Sequence, residues 1–554
     1  MMSDLSKALA NRHVTGDARF TDDELAARTD LLELWPVIVA DGAGLVTMRN
    51  VWPARRVQGV KEVLLAEDVP GANEFMGGAL FAEKEIEHEG QLVAAVVADT
   101  AEVARAAAEK VEIDVQGNPG VMTIEEAMAV DSYHEGDALV VSGQVGKVLK
   151  GAPRKVSGVV ELPGEGDRNL EPTVAWAEYR EGGRVMVGVS TVAPEAVRDG
   201  VARVMGISRG KVRVNCGRVG GLAEGGNAVL WASLAAMAAR KTGRAVRVCP
   251  GRAMEIRTGA QRHEMRAEYE AGHDAEGRLL GVRVKVLVNG GSAVSGAEEN
   301  LRALLLQMDH AYKVDAVEFT ARLCRTNLAP GRWFRGRGAA MGAAVMEEIV
   351  SRVARNCQKA PEDVRELNFY RGKGAGSTTP YGQPIRDMEL GRMWNRLMDQ
   401  SRFGQRRALV DQWNRENRFV KRGLAMTPAK LGMGSLRAEE NQAAAFVQIS
   451  EGGDATVFLG DIDAGQGLHE KVRLVVASAL GIDPGHVEMG PAGTDQVGAM
   501  PSEGGAGLAV DLNGRAVRVA CEKLVVKLGP AAKSCLDEKG AVPTGAMEDI
   551  RFEG

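Results

Sequence analysis

Aromatic side chains are scarce, at 4% of the 554 residues, with 7 Trp, 6 Tyr and 11 Phe. A pocket for a flat aromatic molecule usually relies on ring stacking, and few rings are available here to line one. The six cysteines (216, 249, 324, 357, 521 and 535) stand far apart, with no CxxC pair and no Cys/His cluster. Iron–sulfur clusters and structural zinc need closely spaced thiolates, so the spacing supports neither. The same scatter points to free thiols in a reducing compartment. A basic surplus is also missing. Lys and Arg total 69 against 74 Asp and Glu, for a net charge of −5 without long blocks of one sign. That balance argues against a nucleic-acid partner. The longest apolar stretch, 228–239, is too short to span a bilayer and reads as a buried helix. The opening residues, Met1-Met-Ser-Asp-Leu-Ser-Lys7, carry no apolar signal core, so a cytoplasmic protein without a membrane segment is expected.

What is present is an ordinary globular balance, 45% hydrophobic and 26% charged, with 68 glycines. At about 150 residues per domain the chain holds roughly three or four domains, and a chain of this size folds without disulfide or metal staples. A lead-in segment runs over 1–43. From 44 to 118 the pattern is that of a small α+β domain. The apolar run Leu92–Ala98 reads as a strand, Thr100 as the N-cap of an alanine-rich helix over 101–110, and the alternating Val111–Val115 as a second strand. A block from 121 to 384 alternates short strands (184–189, 211–214, 280–287) with helices over 194–205 and 227–241. The glycine-rich stretch 372–381 reads as a connector. The last block, 385–554, opens with helices over 388–407 and 409–417. Strands over 443–449 and 455–459 follow, then helices over 468–480 and 513–528.

An ordered series of short stretches resembles the xanthine dehydrogenase and aldehyde oxidase family. It begins with Val14-Thr-Gly-Asp-Ala-Arg-Phe-Thr-Asp-Asp23. Val69-Pro-Gly71, Val96-Val-Ala-Asp-Thr100 and Thr123-Ile-Glu-Glu-Ala127 follow, then Arg244-Ala-Val-Arg247 and Thr258-Gly-Ala-Gln-Arg-His263. Arg302-Ala-Leu304, Lys421-Arg-Gly423, Gly465-Gln-Gly467 and Asp511-Leu-Asn-Gly514 complete it. The likeness covers about 12–528. It implies an α+β architecture, with a hammerhead-like domain followed by two molybdopterin-binding-type domains, the last incomplete. It also implies a pyranopterin-bound molybdenum that hydroxylates a purine, N-heterocycle or aldehyde with oxygen from water. Electrons would leave through iron–sulfur and flavin (FAD) modules. This chain shows neither, so partner subunits, or a chain supplying further C-terminal sequence, are expected, and self-association is an alternative.

A long anionic cofactor suits glycine loops and helix N-termini, where backbone N–H groups meet its oxygens. Four places qualify: 220–226 (Gly220, Gly221, Gly225 and Gly226), 336–342 beginning at Gly336, 465–467 (with Gln466 and Gly467), and 504–507 around Gly505. Each also reads as an ordinary turn of a glycine-rich chain. The first runs into a helix with Asn227 as the expected N-cap. By resemblance Arg302 orients substrate, Arg335 stands beside the metal, and Gln466 contacts the cofactor. A guanidinium suits such work because it stays charged and presents a planar donor fork; either arginine could instead serve a structural salt bridge.

The departures from the family pattern are as informative. The glycine loop 218–227 lacks the family's phenylalanine, lysine and acid, with Glu224 the only nearby carboxylate. The glutamine that would hydrogen-bond a molybdenum oxo group falls at Val192. Substrate-stacking aromatics fall at Arg337 and near Glu439, and Gly166-Asp167 replace a Glu-His pair. The family's general-base glutamate would lie beyond 554. Two readings follow: a hydroxylase subunit with impaired chemistry, or a catalytically inactive family member acting as a binding or scaffold subunit.

Overall fold

In the computed structural model, the described residues are 11–538, except 12, 40–41, 167–169, 222–225, 260, 263, 295–296, 332–337, 373–377, 387, 437, 439–440 and 498–507. Arg335, Gly336, Gly225, Gly505, Glu224, Arg337 and Glu439 therefore lie outside the described residues.

The largest sheet has eight strands. In order they are Ala492–Gly493, Val212–Cys216, Arg184–Val189, Ala175–Arg180, Val246–Val248, Leu32–Ile38, Leu92–Ala98 and Val60–Leu64. Leu92–Ala98 is buried at every position, as a run of unbroken apolar residues requires when both of its faces are covered. It pairs antiparallel with Leu32–Ile38 on one side and Val60–Leu64 on the other. The strand after the alanine-rich helix, Glu112–Asn118, pairs instead with Ala43–Asn50 in a separate three-stranded sheet with Glu85–Ile86. The expected strand–helix–strand run is thus present, but its two strands belong to different sheets. Between them lies the Ala101–Ala108 helix, whose Thr100 hydroxyl accepts from the Val103 N–H at 3.3 Å.

A second sheet of five strands runs Ala138–Ser142, Ala316–Cys324, Leu279–Asn289, Met265–His273 and Arg154–Leu162. Its long central strands alternate buried and less buried positions, and the Ala339–Cys357 helix covers one face with Val345, Ile349 and Val353. A third sheet, Ala445–Ile449, Ala455–Leu459 and Val487–Met489, packs against helices Leu468–Leu480 and Ala509–Glu538. The helix Gly226–Thr242 lies on the eight-stranded sheet and buries Trp231 completely.

Three boundaries differ from the sequence reading. The two helices expected over 388–407 and 409–417 are Leu390–Gln400 and Phe403–Glu416, with the break at Arg402, whose φ is 50°, and not at 408. That left-handed residue turns the chain back, which helical periodicity cannot show. The last helix is longer than expected, Ala509–Glu538. Asn227 sits inside the first turn of its helix and not at the N-cap.

The third sheet is tied to the first. Ala492–Gly493 pairs with Asn215 and Cys216, and Ile462 is buried in the apolar cluster under the eight-stranded sheet. These two anchors set the 462–468 turn beside the end of strand Val212–Cys216. Among the described residues, no helix is long and apolar enough to cross a membrane, and no group of three or more His, Cys, Asp or Glu could hold a metal ion.

Candidate functional site

At this junction lies a cleft of about 940 Å³, walled by 17–24 from the lead-in, 215–218 from the first sheet and 462–492 from the third. Its carboxylates are Asp17, Glu24, Asp463, Glu470 and Glu488; its cations are Arg19, Arg218 and Arg473. Arg473 is engaged by Glu470 at 2.8 Å and by the carbonyls of Pro484 and Val487. Burial pushes the Glu24 carboxyl up and the neighbouring His469 imidazole down, so both favour their neutral forms.

The turn Gly465-Gln466-Gly467 borders this cleft and feeds the Leu468–Leu480 helix. Gly465 and Gly467 have φ of 102° and 72°, values that glycine adopts without strain. This winding brings three N–H groups onto one carboxylate. Asp463 Oδ1 accepts from Gly465 at 2.9 Å and from Gly467 at 3.1 Å, and Oδ2 accepts from His469 at 3.2 Å. The turn is an anion nest at a helix N-terminus, filled by the chain's own side chain. Gln466 folds back over it, accepting from the Ala464 N–H at 2.8 Å and donating to the Ile462 carbonyl at 3.2 Å. Asp463 was not foreseen; its role exists only when both glycines take positive φ.

Glu171 closes the first glycine loop in the same manner. Its carboxylate accepts from the Gly220 N–H and from the Ser190 hydroxyl at 2.7 Å. Burial dominates and holds its pKa above the usual range despite those bonds. A Cβ on Gly220 would approach Glu171 Cβ to 2.7 Å, so glycine is required by this close contact. Gly221 follows in the same loop with φ 156°. Gly226 opens the next helix.

Of the remaining expected residues, Val192 is 4% exposed within the large apolar cluster. Arg302 is exposed on the Ala297–Gln307 helix and makes no ion pair or hydrogen bond with another described residue. It does not line the cleft, whereas Asp463 and Arg218, close to the glycine turns, do.

Comparison with known proteins accounts for nearly the whole length. The model described as "Aldehyde oxidase and xanthine dehydrogenase, a/b hammerhead domain" matches 15–119. Two models described as "Molybdopterin cofactor-binding domain" match 131–369 and 396–547. The chain is 31% identical to aldehyde oxidase 4 of Cavia porcellus over 528 residues, covering 94% of this chain and 39% of the relative. It is 30% identical to the xanthine dehydrogenase/oxidase of Rattus norvegicus over 545 residues, covering 97% and 40%. The chain thus spans about two-fifths of the length of these relatives. In fold it is similar to quinoline 2-oxidoreductase from Pseudomonas putida 86, with TM-score 0.81 at 21% identity over 98% of this chain and 72% of that one. The aldehyde oxidoreductase from Desulfovibrio gigas gives 0.81 at 22% identity, over 93% and 58%. With the hammerhead domain and both cofactor-binding domains matched in order, the chain belongs to the xanthine dehydrogenase and aldehyde oxidase family of molybdenum hydroxylases.

Proposed function

We propose that this chain is the cofactor-domain polypeptide of a molybdenum hydroxylase whose own hydroxylation chemistry is impaired. The observation that carries the reading is Val192. Where the resemblance expects an amide aimed at a molybdenum oxo group, an isopropyl group is packed in an apolar core. Electrons from any residual turnover would pass to iron–sulfur and flavin partners, and free thiols at Cys216, Cys249, Cys324, Cys357 and Cys521 favour a cytoplasmic setting.

The matched molybdopterin-binding domains support a molybdenum cofactor, but the expected pterin turns that are described, at Gly220 and at Gly465–Gly467, do not fit its phosphate. Asp463 already holds three N–H groups of the Gly465–Gly467 turn, and Glu171 holds that of Gly220. In the adjoining cleft Glu470 and Arg473 are already paired and Glu24 favours its neutral form, which leaves Arg19 and Arg218 beside Asp17, Asp463 and Glu488, a poor balance for an added anion.

The test is turnover of xanthine and of an aromatic aldehyde by the purified chain with an artificial electron acceptor. Background rates are expected. A rate above background that Arg302→Ala abolishes would overturn the proposal. The second reading, a binding or scaffold subunit without chemistry, is favoured by the self-filled nest at Asp463. Molybdenum and oxidised-pterin content separates the two. Stoichiometric cofactor supports the hydroxylase subunit; a chain free of both supports the scaffold.

A further inference from the structure

Outside the cleft, a second cavity of about 310 Å³ opens where three parts of the fold meet. These are the hammerhead turn 87–91, the helix Arg252–Thr258 and one end of the five-stranded sheet. The volume lies at the small end of the usual range for small-molecule sites, so a compact solute suits it. Three of its lining side chains are charged. Glu89 comes from the turn, Arg257 from the helix, and Glu264 from the residue ahead of strand Met265–His273. Asn289, at the end of the neighbouring strand, adds an amide, and Ile256 and Leu328 supply apolar surface.

The walls are held by backbone contacts. A Cβ on Gly90 would approach the Arg257 carbonyl oxygen to 1.9 Å, so the turn bearing Glu89 is seated directly on the helix bearing Arg257. The Glu89 N–H donates to the Asn327 carbonyl at 3.2 Å, and the Asn327 side chain donates to the Glu87 carbonyl at 2.8 Å. On the sheet side, the Asn289 N–H donates to the Glu264 carbonyl at 2.9 Å. The buried Asn289 amide donates to the Glu264 carboxylate at 3.4 Å and to the Met122 carbonyl at 3.1 Å, and accepts from the Thr326 hydroxyl at 2.6 Å. Walls fixed in this way have already met much of the ordering cost that binding would otherwise incur.

The charges in this cavity do not neutralise one another. Among the described residues, the side chains of Glu89 and Arg257 have no ion-pair or hydrogen-bond partner, and Glu264 has no cationic one. Opposite charges that line one cavity without touching leave space for a solute that reaches both. With two carboxylates and one guanidinium on the walls, the complementary solute carries two cationic groups and one carboxylate.

We propose that this cavity binds a free basic amino acid, with its α-carboxylate on Arg257 and its two cationic groups on Glu89 and Glu264. Calorimetric titration of the full chain with L-arginine and with L-lysine tests this. Saturable one-to-one binding of at least one of them is expected. Analogues without the side-chain charge (L-citrulline, L-norleucine) and analogues without the carboxylate (agmatine, cadaverine) each leave a wall group unmatched. Each should bind at least about tenfold more weakly than its parent. Arg257→Gln should weaken the parent amino acid at least about tenfold yet leave the decarboxylated analogue unchanged, whereas Glu89→Gln should weaken both. Absence of saturable binding by either amino acid up to about 10 mM would overturn the proposal. So would decarboxylated analogues that bind as tightly as their parents, or an affinity indifferent to both variants. Neither substituted side chain has a partner to lose, so both variants should keep the wild-type melting temperature. Should Glu89→Gln melt early, Arg257→Gln decides alone, because Arg257 is exposed.

Discussion

Val192 packs at 4% exposure among the side chains beneath the eight-stranded sheet. Replacing it by glutamine would put an amide where nothing described can bond it, at a cost of about 2–3 kcal/mol. A matching drop in the melting temperature of Val192→Gln is expected. A neutral substitution would show that the position opens onto a polar pocket after all. At this scale the sequence was partly readable. Gln466 and Gly467 were located as a turn ahead of a helix, and that is where they lie. Asp463 escaped notice because its three N–H partners converge only through the backbone winding at Gly465 and Gly467. The exposure of Arg302 was equally hidden, since residue type reports charge and not burial.

Local chemistry was the most legible at the scale of single elements. Thr100 was identified as a cap from its place between an apolar run and an alanine-rich stretch, and its hydroxyl makes that bond. Thr100→Ala should cost about 1 kcal/mol, read as a lower denaturation midpoint at unchanged slope. No change would mean that water caps the helix as well as the hydroxyl does. Strand partners were not legible. Leu32–Ile38 pairs in parallel with Val246–Val248, more than 200 residues away, and no local pattern encodes such a distance. The helical break at Arg402 was placed too late, at 408, for a related reason. A single positive φ leaves the apolar period on either side intact.

Across the whole molecule, buried polar contacts join segments that are far apart in sequence. Asp309 is fully buried, accepts from the Tyr370 hydroxyl at 2.7 Å, and pairs with Lys430 from the segment after the Phe403–Glu416 helix. Nearby, Glu347 gathers Tyr312, Arg365 and His310. Burial raises the Asp309 pKa, opposed in part by the Lys430 ammonium. Lys430→Ala would strand this carboxylate and cost about 3–5 kcal/mol near neutral pH. The folded form then holds the Asp309 proton more tightly than the unfolded chain does, so stability rises as pH falls. The deficit should therefore shrink on acidification toward the carboxylate range, followed by urea unfolding at several pH values. A deficit constant with pH would show that Lys430 acts only by packing. Such ties are invisible in sequence, because a lysine and an aspartate 121 residues apart look like any two solvated charges.

The nest at Gly465–Gly467 bears on the order of events during biosynthesis. A turn that needed an external anion would stay unsettled until that anion arrived, and maturation would be tied to ligand supply. Here Asp463 completes the turn from within the same polypeptide. This corner of the fold is therefore complete without any ligand to hold it.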